Sequence, residues 1–175
     1  MVDPVSGTDL AHGEMGELIA KGPGVTRGYY LKPAETAAAF TEDGWLRTGD
    51  LGRIDAEGYI TLRGRTKESY RCGGEQVLPS EIEGLLTSHP SVLQAHVVPI
   101  PDERMGEVGV AFVIPRPGQA IDAAELDRVA RDNLARFKVP RHYIVAEESE
   151  IPLTPSGRPR KFLLSQIALK KLGSS

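Results

Sequence analysis

The sequence predicts an α+β protein in two parts. A small β-rich segment comes first, followed by a compact α+β body with a roughly three-stranded sheet and flanking helices. Three observations predict this. Residues 1–62 set short apolar runs between Gly/Pro turns and hold a single short helical pattern. Residues 66–175 mix strand and helix patterns without the regular βαβ alternation of a parallel sheet. The texture changes near residues 63–67, which sets the parts at 1–64 and 65–175. A chain of 175 residues has length enough for two such parts and for a buried core.

The elements follow in order. "GELIAKG" (16–22) reads as a short strand ended by glycine, and "GPGVTRGYY" (22–30) as a Gly/Pro-punctuated loop. "KPAETAAAF" (32–40) is a short helix, with Pro33 in the first turn where a missing N–H matters little. "DGW" turns into "LRTGDLGRID", and "AEGYITLRG" is a hairpin turn with an alternating strand behind it. With so few helices to cover these strands, the segment alone would expose a sheet face or edge. Beyond the boundary, Ser80 and Glu83 fit a capping box for a helix whose apolar stripe is Ile82, Leu85 and Leu86, stopped by His89-Pro90. "SVLQAHVVPIP" (91–101) is a strand, and "GEVGVAFVIP" (106–115) another, with Val108, Val110, Phe112 and Ile114 on one face. Asp122 and Glu125 open a helix that buries Leu126, Val129, Ala130, Leu134 and Phe137. "RHYIVAEE" (141–148) is a third strand, and "KFLLSQIALKK" (161–171) a helix. There is no internal repeat.

Composition excludes several functions. Charged residues make up 26% of the chain and its net charge is −3, which gives no electrostatic ground for nucleic acid or an anionic membrane. No apolar run has the length of a membrane span. The start has neither the basic nor the apolar region of a signal peptide. The single cysteine, Cys72, excludes an internal disulfide and suits a reducing, cytoplasmic compartment. "DPVSGTDL" is a turn-rich loop entering a strand with no earlier pairing partner, so the chain is expected to be the tail of a longer protein.

Few residues suggest chemistry on their own. His12, His89, His96 and His142 are scattered without ligand spacing, so no metal site is expected from the chain itself. Cys72 lacks a histidine nearby in sequence and reads as an inert loop residue, although Arg71 beside it favours the thiolate. "GPGVTRG" lacks the lysine and spacing of a phosphate loop. In "TGD" (48–50), Asp50 follows a glycine turn. It either accepts two hydrogen bonds from a vicinal diol, as on a ribose, or stabilises its own turn. "TPSGRPRK" (154–161) displays Arg158, Arg160 and Lys161 on a Pro/Gly loop, either a mobile phosphate contact or a solvated basic loop. "GRTKESYRCGGEQVLPSEIE" (64–83) reads as a joint: a mobile connector with Arg65 and Lys67, a Gly73-Gly74 cradle, then a rigid helix.

Taken in order, "GELIAKGPGVTRGYY", "DGWLRTGDLGRIDAEGYITLRGR", "GGEQVLPSEIE", "HPSVLQAHVVPIPDERMGEVGVAFVI", "LARFKVPR" and "PLTPSGRPRK" resemble the C-terminal third of the adenylate-forming enzymes. These are acyl-CoA synthetases, peptide-synthetase adenylation domains and luciferases, and the resemblance runs along nearly the whole chain. It implies a two-step reaction. A carboxylate, of a fatty or aryl acid, attacks the α-phosphate of ATP with magnesium; the small C-terminal domain then rotates on a hinge, and coenzyme A takes the acyl group. Residues 1–64 would be the end of the large AMP-binding domain and 65–175 the mobile lid.

The resemblance also implies roles. Asp50 would hold the ribose hydroxyls with Arg65 in support. Lys67 stands at the hinge. Gly73 and Gly74, followed by Gln76, would line the thioester-forming face, where bare backbone lets a pantetheine arm approach. The family's "SGK" lysine, which stabilises charge on the α-phosphate, is replaced by Arg158, with Lys161 as a possible substitute three residues on. The family's Ser/Thr/Gly-rich phosphate loop and acyl pocket, and most of the magnesium binding, belong to a missing N-terminal domain. The 175 residues alone are therefore expected to be inactive. Two alternatives stand beside the ligase. One is a peptide-synthetase-type adenylation domain, disfavoured because "LKKLGSS" leads into no carrier domain. The other is a non-catalytic binding module on the lid fold.

Overall fold

The computed structural model describes residues 1–173 and is α+β, built from two compact units, residues 1–67 and 68 onward. In the first unit, strands β1 (Gly16–Ala20), β2 (Leu46–Ile54) and β3 (Ile60–Arg65) form an antiparallel sheet in that order, with helix α1 (Pro33–Ala39) between β1 and β2. Pro33 sits at the first position of α1, as its fixed φ and absent N–H suit. The β2–β3 hairpin slips register between Leu51 and Gly52. A Cβ on Gly52 would lie 2.5 Å from the Thr61 carbonyl oxygen, so only glycine lets the two backbones come this close. Most of β3 is exposed, including Ile60 and Leu62, which fits the expectation of an uncovered sheet.

The second unit holds a five-stranded sheet, against the three strands expected. Two short strands, β4 (Tyr70–Cys72) and β5 (Glu75–Val77), form a hairpin across Gly73-Gly74 and join β6 (Val92–Asp102), β7 (Gly106–Pro115) and β8 (His142–Val145). The path runs β5-β4-β7-β6, and β8 lies parallel along β7 from Val110 to Val113. The β6–β7 hairpin pairs from Val92↔Pro115 to Asp102↔Gly106. Its turn is held by Asp102, whose Oδ1 accepts the N–H groups of Arg104 and Met105. The expected alternation in β7 understates its burial. Ala111 and Val113 are buried as fully as Val110 and Phe112, so both faces of β7 are covered.

Helix α2 (Pro79–Thr87) buries Ile82 and Leu86. Ser80 and Glu83 do not form the capping box expected of them. The helix starts at Pro79 with Leu78 as N-cap and no side-chain cap, and Glu83 turns its carboxylate to the Val97 N–H of β6, 2.8 Å away. Proline suits the first helical position, where its fixed φ is preorganised and its missing N–H would have had no intrahelical partner, and the helix starts two residues earlier than the pattern suggests. Helix α3 (Ala123–Asn133) is capped as expected by Asp122, which accepts from Ala124 and Glu125 N–H. It ends earlier than its apolar stripe. Leu134 is its C-cap, and Phe137 reaches the core from a 3-10 turn, Arg136–Lys138. Helix α4 (Lys161–Gly173) buries Leu164 and Ala168. Each large apolar side chain buried in this core contributes about 1.5–3 kcal/mol.

Candidate functional site

Asp50 lies in β2 directly opposite Arg65, near the end of β3, and the Arg65 Nε stands 3.0 Å from the Asp50 Oδ1. The placement of Asp50 is built from below. Gly49 takes a φ of +72°, which only glycine adopts freely. Its N–H donates to Glu17 Oε1 at 3.1 Å, and Arg47 Nη1 donates to the other oxygen of Glu17 at 3.0 Å. Glu17 is 5% exposed, a buried carboxylate of the kind tolerated only when paired. Thr48 Oγ1 donates to the Leu18 carbonyl at 2.6 Å and accepts the Asp50 N–H at 3.1 Å. Two strands thus fix the backbone on which the Asp50 carboxylate stands. Sequence reasoning missed Glu17, Arg47 and Thr48. The buried charge of Glu17 was the available signal, since an acid inside a strand pattern needs a partner.

Lys67 falls in a 3-10 turn, Thr66–Glu68, at the junction between the two units. Downstream, Gly73 and Gly74 take φ values of +62° and +89°. Positive φ at both central residues is the type I′ turn that matches the twist of a two-residue hairpin. The Gly73 N–H donates to the Met105 carbonyl at 2.8 Å, and a Cβ on Gly73 would meet the Met105 methyl at 2.7 Å. A Cβ on Gly74 would meet nothing within 4 Å. Gln76, on β5, donates from Nε2 to Ser69 Oγ at 3.1 Å. The hairpin therefore presents an open glycine backbone with Gln76 already engaged on its flank. Cys72, directly before it, is buried, and burial pushes its thiol up despite the Arg141 cation, so it is a poor nucleophile.

Arg158 rides on a closed loop. Leu153 and Pro159 form an antiparallel bridge, the Thr154 N–H donates to the Arg158 carbonyl at 2.8 Å, and the Arg158 N–H donates to Thr154 Oγ1 at 3.0 Å. The backbone of Arg158 is thus fixed, while its side chain is exposed and has no ion-pair partner among the described residues. Lys161 is different. At the start of α4, its Nζ lies 2.8 Å from Glu83 Oε1 and 3.1 Å from Glu68 Oε2, and its side chain is only one-fifth exposed. Among the described residues no group of three or more His, Cys, Asp and Glu side chains is placed to hold a metal ion, and no helix is long and apolar enough to cross a membrane.

Residues 81–158 match the family model of the AMP-binding enzyme C-terminal domain. The chain is 39% identical to an indoleacetate–CoA ligase of Aromatoleum aromaticum, over 94% of this chain and 32% of that protein. It is 41% identical to a sulfoacetate–CoA ligase of Cupriavidus necator, over 90% of this chain and 31% of that protein. Among solved structures it is similar to ATP-bound MatB from Rhodopseudomonas palustris, with a TM-score of 0.89 and 34% identity, covering 98% of this chain and 33% of that one. The chain thus spans about a third of the length of the relatives it matches.

Proposed function

Because the chain belongs to the adenylate-forming enzymes and carries their AMP-binding C-terminal domain, we propose that it is the C-terminal part of an ATP-dependent acyl-CoA ligase working in the cytoplasm. Residues 1–64 would complete a large nucleotide-binding domain whose remainder lies upstream, and residues 65–175 would be its lid. In the first step an oxygen of a carboxylic acid, of fatty or aryl type, attacks the α-phosphorus of ATP and pyrophosphate leaves. In the second the coenzyme A sulfur loses its proton and attacks the acyl carbon, and AMP leaves.

The Asp50–Arg65 pair carries this reading. One Asp50 oxygen is held by Arg65 at 3.0 Å, on a backbone fixed by Glu17 and Thr48. The carboxylate would accept both ribose hydroxyls, a charge-assisted contact about twice as strong as a neutral one. Arg158, exposed on a fixed loop, would offset charge on the α-phosphate in the first step. Lys161 is already engaged by two carboxylates, which favours Arg158 over Lys161 for that role. Lys67 would be the hinge. Gly73, Gly74 and Gln76 would face the thiol in the second step, with bare backbone admitting the pantetheine arm. Magnesium would accompany the nucleotide, held by its phosphates and by upstream residues.

The test is to supply the full-length protein with ATP, magnesium and a panel of fatty, aryl and small carboxylic acids. Pyrophosphate release followed by a coenzyme A thioester is expected, with neither activity from the 175 residues alone. Absence of both from the full-length protein across the panel would overturn the reading. The rival, a non-catalytic binding module, is permitted by the arginine at position 158, and ATP binding without pyrophosphate release would be its signature.

A further inference from the structure

Resting on that reading, we propose that Lys161 is a positioning residue whose ammonium ties the exit of the hinge to the loop that carries Arg158. Glu68 is the first residue of the second unit, directly after Lys67. Lys161 Nζ reaches it at 3.1 Å and reaches Glu83 of α2 at 2.8 Å. The same Glu83 oxygen accepts the Val97 N–H of β6 at 2.8 Å, so Glu83 is itself fixed to the sheet. Glu83 stands 78 residues before Lys161 in sequence and Glu68 lies further back still, yet one ammonium joins the hinge exit, α2 and the start of α4.

The link to Arg158 runs through three peptide bonds. Lys161 opens α4, which Leu164 and Ala168 bury in the core. Just before it, the Arg160 N–H donates to the Pro152 carbonyl at 2.8 Å and Pro159 bridges to Leu153, closing the loop. A shift of Lys161 therefore shifts the base of the Arg158 loop. His96 faces the same cluster and feels both Glu83 and Lys161, but burial favours its neutral form, so it leaves the balance of the two carboxylates to Lys161. Glu83 and Lys161 are each one-fifth exposed. The Lys161–Glu83 pair is thus sheltered from solvent screening, and Glu68, 43% exposed, is held by an ammonium that this pair already fixes in place.

A pair that only stabilised the fold would weaken both half-reactions alike when broken. A positioning role separates them, because Arg158 acts in the first step and not in the second. The informative variant is Glu68→Gln in the full-length protein, since it frees the hinge exit and leaves Lys161 on Glu83. The adenylation rate is expected to fall about tenfold relative to thioester formation from supplied acyl-adenylate, as small misplacements of a reacting group do. Lys161→Met should act in the same direction, Lys161→Arg should restore the ratio, and the double variant should be no worse than Lys161→Met. Equal losses in both half-reactions, or strictly additive effects, would overturn the proposal. Amide exchange decides the matter where Lys161→Met folds poorly or the unaltered protein shows no ligase activity. Faster exchange at residues 154–160 in Glu68→Gln supports the link, and change confined to the neighbourhood of residue 68 refutes it.

Discussion

Replacing Gly74 by leucine should divide the two half-reactions. Gly74 sits at a φ of +89°, and a Cβ there would have no heavy atom within 4 Å. The change thus adds backbone strain, and its Cβ meets open space. A left-handed non-glycine residue costs about 1–2 kcal/mol. Each kcal/mol lowers the thermal midpoint of a domain this size by about 4–8 °C. Both Gly74→Ala and Gly74→Leu carry that strain, and only leucine adds bulk outside the hairpin, where the pantetheine arm is proposed to run. Single-turnover pyrophosphate release should therefore be close to unaltered in both variants. Thioester formation from supplied adenylate should fall about tenfold or more in Gly74→Leu alone, equivalent to about 1.4 kcal/mol in the barrier. Were alanine and leucine to slow the second step equally, strain and not bulk would be at work. Were leucine to slow both steps equally, the assignment of this hairpin to the thiol step would be wrong.

Other perturbations address the remaining groups. Asp50→Ala removes an ion pair whose Arg65 is half-exposed and which contributes at most about 1 kcal/mol, so the thermal midpoint should fall by no more than about 4–8 °C. Adenylation should nonetheless fall roughly tenfold or more, as a charged hydrogen-bond acceptor of about 1.5–3 kcal/mol is lost. Parallel losses of stability and rate would mean that Asp50 serves only its strand. Arg158→Ala should leave the melting curve unaltered and slow adenylation by about 10²–10³, whereas Arg158→Lys should keep most of the rate; an active Arg158→Ala enzyme would remove Arg158 from the chemistry. Burial lowers the pKa of His96, and of His142, below the ordinary 6.5. The unfolded chain then takes up protons first, so the stability they contribute is full above pH 6.5 and declines as pH falls below it. Urea unfolding between about pH 7.5 and 5.5 should show that slope, and His96→Gln should flatten part of it; an unaltered slope would mean that His96 is accessible to protons in the fold.

The elements legible in the sequence were those long enough to repeat a period. Eleven residues of β6 and ten of β7 display their alternation, and Asp122 announces α3 through its cap. Strands β4 and β5 are three residues each. That is too short for any period, so they read as loop around two glycines. The apolar run of α3 continues into Leu134 and Phe137 because a 3-10 turn can keep side chains on the core where the α-helix has stopped. At the candidate site, Asp50 and the glycines were singled out by local turn chemistry, with their roles coming from family resemblance. The opposition of Asp50 to Arg65 depends on a register with a bulge in it. The grip of Lys161 on Glu83 and Glu68 spans distant segments. Neither is encoded in any local spacing, so only the fold reveals them.

The parallel placement of β8 beside β7 bears on biosynthesis. Antiparallel β6 and β7 can zip as soon as both leave the ribosome, but the free edge of β7 at Val110–Val113 must wait for His142–Val145. The apolar wall of β6 likewise waits for α4, which packs against it. For that interval the nascent chain carries a wide, sticky, half-dressed ribbon, and this is when it is most exposed to aggregation or most in need of a chaperone.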